Sequence, residues 1–148
     1  MNNEHYSKIG PDGEALDKEA SDWIAVRDDT TGLTWAVESI RVEDWSEDTE
    51  ARIAVALEAS RLAVWPGWLD GWRIPTRAEL VTLIDDTQYG PAIDIRFFPD
   101  CPSDWFWTST VYAPSPGDCA WSVNFNDGYA NWILRRYSGF VRAVRASQ

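Results

Sequence analysis

The sequence predicts an α+β domain in which two helices pack on twisted antiparallel sheets. Three observations carry that expectation. Short runs of alternating apolar and polar residues, bounded by turn-forming residues, lie towards both ends of the chain. Two segments of helical character lie between them. The length, 148 residues, is that of one ordinary domain, enough to bury roughly two thirds of the unfolded surface.

Residues 1–22 are polar, contain Gly10, Pro11 and Gly13 and hold six acidic side chains; they are expected to form a weakly packed lead-in to a single domain at 23–148. WIAVRD at 23–28 suits a strand, DTTG at 29–32 a turn, and LTWAV at 33–37 a second strand, together a hairpin. From Ser46 to about Val64, Ile53, Ala54, Leu57 and Arg61 recur at helical spacing. Ser46 is the expected N-cap, with Glu47 and Asp48 in the first turn, where the helix dipole favours acids. WPGWLDGW then ends that helix. In GWRIPTRAEL at 71–80, Thr76 precedes Glu79 by the capping-box interval, so a second helix is expected over roughly Arg77–Asp85 with Leu80, Leu83 and Ile84 facing inward. Pro75 sets its entry angle, and Glu79 is expected to serve structure rather than catalysis.

The Asp127–Gly128 pair predicts a two-residue type I′ turn. That register pairs Asn126 with Tyr129, Phe125 with Ala130, Asn124 with Asn131, Val123 with Trp132 and Trp121 with Leu134. One face then holds Trp121, Val123, Phe125, Ala130, Trp132 and Leu134, all apolar and expected inward. The other holds Ser122, Asn124, Asn126, Tyr129, Asn131, Ile133 and Arg135, expected outward. Asn and Tyr supply adaptable hydrogen bonds and flat contact area at small entropic cost, so Asn124, Asn126, Tyr129, Asn131 and Arg135 are the candidate ligand-binding residues. Tyr112 and Trp105 join them from the segment expected to pair with this hairpin, while Trp107 there is expected to pack in the core.

Composition narrows the partners. The net charge is −11, and it is uneven: residues 1–100 hold 9 basic against 21 acidic side chains, residues 101–148 hold 4 against 3. Such a field repels nucleic-acid phosphates, anionic lipid and sulfated glycans, so neither direct nucleic-acid binding nor membrane insertion is expected. MNNEHYSKIG has no apolar core of a secretion signal, which points to a cytoplasmic or virion-associated location. Cys101 and Cys119 are compatible with a disulfide in an oxidising compartment and with two thiols in a reducing one.

Reactive chemistry finds little support. His5 is the only histidine and lies in the lead-in, which leaves no histidine for a catalytic triad or zinc site within the domain. The acid pairs Asp28–Asp29 and Asp85–Asp86 could flank a glycosidic bond, but in so acidic a chain they are expected to be surface. No enzyme activity, cofactor or metal is expected.

The ordered phrases YSKIGPDGEAL (6–16), VRDDTTGLTW (26–35), GWRIPTRAEL (71–80), DIRFFP (94–99), FWTST (106–110), AWSVNFNDG (120–128) and VRAVR (141–145) resemble the Lcl-type C-terminal domains over about 140 residues. The resemblance implies a C-type-lectin-like fold, distantly related to formylglycine-generating enzymes and to retroelement-diversified variable proteins, with recognition carried by the C-terminal sheet and its loops. Cys101 and Cys119 do not reproduce the close active-site cysteine pair of the formylglycine-generating enzymes. Asn126–Asp127 look like part of the lectin calcium motif, but the companion Glu-Pro-Asn or Gln-Pro-Asp loop is absent. The expected function is noncatalytic recognition of a protein or glycan by the C-terminal sheet, in a phage or prophage receptor-binding or adhesion setting. The alternative is a small acidic intracellular inhibitor that imitates nucleic acid and blocks a basic groove.

Overall fold

Nine strands and two helices are laid down in a computed structural model that describes residues 5–46, 48–58 and 71–146. In chain order they are β1 (Tyr6–Ile9), β2 (Ala25–Asp28), β3 (Leu33–Ala36), β4 (Ile40–Val42), α1 (Thr49–Glu58), α2 (Arg77–Leu80), β5 (Trp105–Val111), β6 (Cys119–Asn124), β7 (Tyr129–Leu134), β8 (Gly139–Val141) and β9 (Val144–Ala146). They build two sheets, ordered β1-β2-β3-β9 and β4-β8-β5-β6-β7. The α+β class is therefore as the sequence predicts, with one departure: β5 and β8 run parallel, in register at Phe106 and Phe140.

The β2–β3 hairpin forms as expected around Gly32, whose φ of 75° suits a residue without Cβ. The polar lead-in is a correction. Tyr6–Ile9 pair antiparallel with β2, and Tyr6, Lys8 and Ile9 are buried. Lys8 is held there by its charge: Nζ donates to the Lys18 and Ala20 carbonyls at 2.6 and 2.8 Å and sits 3.8 Å from the Trp23 ring centre. A buried ammonium satisfied by carbonyls ties the 10–22 segment to the sheet, a bond no local pattern announces.

Helix α1 starts at Thr49, three residues after the expected cap. Ser46 is not the side-chain cap; its amide donates to Thr49 Oγ1 at 2.7 Å, and its hydroxyl accepts from Arg52 Nη2 at 2.7 Å. Ile53 and Leu57 are buried as the spacing requires, whereas Ala54 is exposed. Glu47, the 59–64 stretch with Arg61, and the break at 65–70 lie outside the described residues. The capping box of α2 is complete: Thr76 Oγ1 accepts from the Glu79 amide at 3.2 Å, and Glu79 Oε1 accepts from the Thr76 amide at 2.9 Å. The helix is shorter than expected, passing into a 3₁₀ turn at Val81–Leu83, but Leu80 and Leu83 face the core.

VRAVR joins the two sheets. Val141 ends β8, Val144 begins β9, and β9 closes the first sheet by pairing with β3. Between them Arg142 is fully buried. Its Nη1 donates to the Ala36 and Val37 carbonyls at 2.8 and 2.6 Å, Nη2 donates to Ser39 Oγ at 3.2 Å, and its guanidinium lies 4.6 Å from the Phe98 ring centre. Burial holds its pKa below the ordinary arginine value.

The β6–β7 hairpin is the second correction. Asn124 pairs with Tyr129, Val123 with Ala130 and Trp121 with Trp132, so every partner is displaced by two residues from the type I′ register. The loop is Phe125–Gly128, closed by the Gly128 amide on the Asn124 carbonyl at 2.8 Å. Phe125 causes the displacement: it leaves the strand to bury completely, edge-on to Phe106 at 5.1 Å, and its amide and carbonyl bond to Asp104 and Ala92. Because the shift is even, each side chain keeps its predicted side of the sheet.

Which side is buried does not follow the prediction. The Val123–Phe125–Ala130 side packs on the cluster that contains Leu80, Leu83 and Phe98. The opposite side, at Ala120 and Ile133, packs on the cluster that contains Ile53, Leu57 and Trp107. Both faces are thus half covered, at opposite ends of the strands, and Trp132, expected inside, is 44% exposed.

Candidate functional site

The predicted site residues separate into three places. At the turn end of β6–β7, Trp105, Asn124 and Tyr129 form one row across β5, β6 and β7, with Asn131 two residues further along β7 on the same side. Tyr129 is 70% exposed, Asn126 and Asn131 are exposed, and Asn124 and Trp105 are half-buried. Asn124 also has a local duty, since its Oδ1 accepts the Asn126 amide at 2.9 Å, as Asp127 Oδ1 accepts that of Tyr129 at 3.1 Å. These side chains shape the loop, which accounts for Asn126–Asp127 without a metal.

Arg135 lies elsewhere, at the opposite end of β7. Its Nη1 donates to the Pro116 and Gly117 carbonyls at 3.2 and 3.0 Å, its Nε donates to the Trp45 carbonyl, and its guanidinium sits 4.6 Å from the Trp45 ring centre. It forms part of the wall of an open cleft of about 400 Å³ that Trp45, Leu134 and Arg136 also line. Tyr112 is on the other side of the sheet, stacked on Trp132 at 4.8 Å and 22°. Trp107 is fully buried, as the sequence predicts.

One residue at the turn end was missed. Tyr89 is 87% exposed, and the Gly90 amide beside it donates to the Asn126 carbonyl at 2.9 Å, which brings Tyr89 to the same end of the hairpin as Tyr129. The signal available was a lone aromatic within the polar, Gly-Pro-terminated run DDTQYGP. The outer edge of β7 is partly closed to strand addition: the Trp132 amide donates to Asn131 Oδ1, and the Leu134 carbonyl accepts from Tyr137. Contact here falls to side chains.

Cys101 and Cys119 are free, buried thiols, and burial raises the Cys101 pKa above its usual range. Among the described residues, no group of three or more His, Cys, Asp or Glu is placed to hold a metal ion. Among them also, no helix is long and apolar enough to cross a membrane.

The geometry is that of a sheet-rich α+β domain whose edge strand β7 presents amide and aromatic side chains to solvent. The sequence model of the Lcl C-terminal domain matches residues 24–145, and the chain belongs to that family. No curated protein matches the chain.

Proposed function

We propose that this domain is a noncatalytic binding module that recognises a protein or glycan through the turn end of its C-terminal sheet. The observation that carries the proposal is the exposure of Tyr89, Asn126, Tyr129 and Asn131 at one end of the hairpin, where the Gly90–Asn126 bond clamps the Phe125–Gly128 loop. A rigid backbone presenting tyrosine and asparagine loses little entropy on contact. The Lcl-type resemblance, with the lectin-like architecture it implies, supports placing recognition on this sheet, and a phage or prophage receptor-binding or adhesion role fits such a surface.

The test is capture of partners from host lysate and from a glycan array. Tyr129→Ala combined with Asn131→Ala is expected to abolish capture while the thermal midpoint stays within about 2 °C of the parent, because both side chains are solvent-facing. Capture that survives this pair and Tyr89→Ala refutes the assignment of the surface. The acidic-inhibitor alternative is favoured by one observation, the net charge of −11. It predicts instead that capture fails in moderate salt and on neutralising Glu47, Asp48 and Glu50.

A further inference from the structure

The aromatic group on the other side of β6–β7 has no role in that surface. Trp121 and Trp132 are register partners, and Tyr112, carried past a register shift in β5 between Trp107 and Val111, stacks on Trp132 and meets Trp121 edge-on at 5.8 Å. Arg77, at the start of α2, lays its guanidinium 3.7 Å from the Trp121 ring centre. We propose that this ledge is a second binding site, specific for a neutral saccharide, with Trp132 as the stacking platform and Arg77 as the hydroxyl-binding group.

Three features support it. Tyr112 stacks on Trp132, and that residue nevertheless remains 44% exposed. A flat indole held in place by a stacked neighbour is a ready surface for the C–H face of a pyranose ring. Arg77 is exposed and has no carboxylate within ion-pair distance among the described residues. With its guanidinium carbon 3.7 Å from the Trp121 ring centre, it carries N–H donors of a kind that match the paired oxygens of adjacent sugar hydroxyls. Charge chooses between sugars: at −11 overall the protein repels polyanionic chains at long range, while a neutral saccharide meets no such barrier.

The test uses the whole chain with its ten tryptophans labelled on the indole nitrogen, titrated with maltohexaose, cellohexaose and N-acetylchitohexaose, and with polyglutamate as the anionic control. The expected result is saturable binding of at least one neutral oligosaccharide that moves the Trp132 and Trp121 indole signals. Trp132→Ala is expected to weaken it at least about tenfold, Arg77→Gln several-fold, and Trp132→Phe less than Trp132→Ala. Tyr129→Ala with Asn131→Ala is expected to leave it unchanged, which separates this site from the turn-end surface. No saturable binding of any of the three by the parent protein, binding that survives both Trp132→Ala and Arg77→Gln, or binding of polyglutamate alone overturns the proposal. Trp132→Phe and Arg77→Gln keep the test decisive should Trp132→Ala fold poorly.

Discussion

Replacing Glu79 by glutamine isolates one charge at the point where α2 is fastened to the sheet. Glu79 receives two 2.6 Å bonds from Arg73, one to each carboxylate oxygen, as well as the Thr76 amide. Arg73 in turn exchanges backbone hydrogen bonds with Val144 at the start of β9, so the carboxylate links helix entry to the closing strand of the first sheet. Glutamine preserves shape and both bonds of the capping box but loses the ionic pair. Charge-assisted bonds contribute about 1.5–3 kcal/mol net; with Arg73 41% and Glu79 21% exposed, solvent screening reduces this to about 1–2 kcal/mol. In a chain of this size that lowers the thermal midpoint by about 3–6 °C.

The pH dependence sharpens the test. The Arg73 guanidinium, outweighing the opposing effect of burial, holds the Glu79 carboxyl below its ordinary value. A depressed folded-state pKa means that the stabilisation is complete above the unfolded carboxyl value of about 4.3 and is lost as pH falls through the lower folded value. Urea denaturation of parent and Glu79→Gln should therefore differ by about 1–2 kcal/mol at pH 7, and the difference should shrink towards zero in acid, where the protonated glutamate resembles glutamine. Equal midpoints at pH 7, or a gap that persists undiminished in acid, would refute the linkage.

Substitutions at two further positions probe the packing. At Gly139 an added Cβ would meet Trp107 Nε1 at 3.0 Å and the Trp105 carbonyl at 3.1 Å, the second a backbone atom; Gly139→Ala is expected to cost about 1–3 kcal/mol by urea titration. Arg142→Met removes the donors to the buried Ala36 carbonyl and the part-buried Val37 carbonyl and is expected to destabilise by about 3 kcal/mol or more. Arg142→Lys should rescue little, since a compact ammonium cannot lie flat beside Phe98 while reaching Ala36, Val37 and Ser39; a fully stable lysine variant contradicts this account.

Much of the scaffold was legible because its signals are local. The capping box needs two residues three apart, the β2–β3 turn needs Gly32, and the sides of β6 and β7 follow from strict alternation. The β6–β7 register was not legible, because the pull on Phe125 comes from Phe106 and from backbone groups of Asp104 and Ala92, none adjacent to it in sequence. For the same reason Arg135 and Tyr112, read as neighbours of the asparagine row, ended at the Trp45 cleft and on Trp132. Alternation assigns two sides to a strand and cannot say how far along each side a cover extends.

From the sequence alone came the α+β class, the acidic character, the helix start at Thr76 and the membership of each β6–β7 side chain in one of two faces. Tertiary structure decided where those faces are covered, that Lys8 and Arg142 are interior cations, and that Trp132 stays in solvent. The division has a physical cause. Backbone geometry and caps are set by groups within a few residues, whereas burial depends on partners such as Arg142 and Ala36, 106 positions apart, which meet only once both sheets have formed.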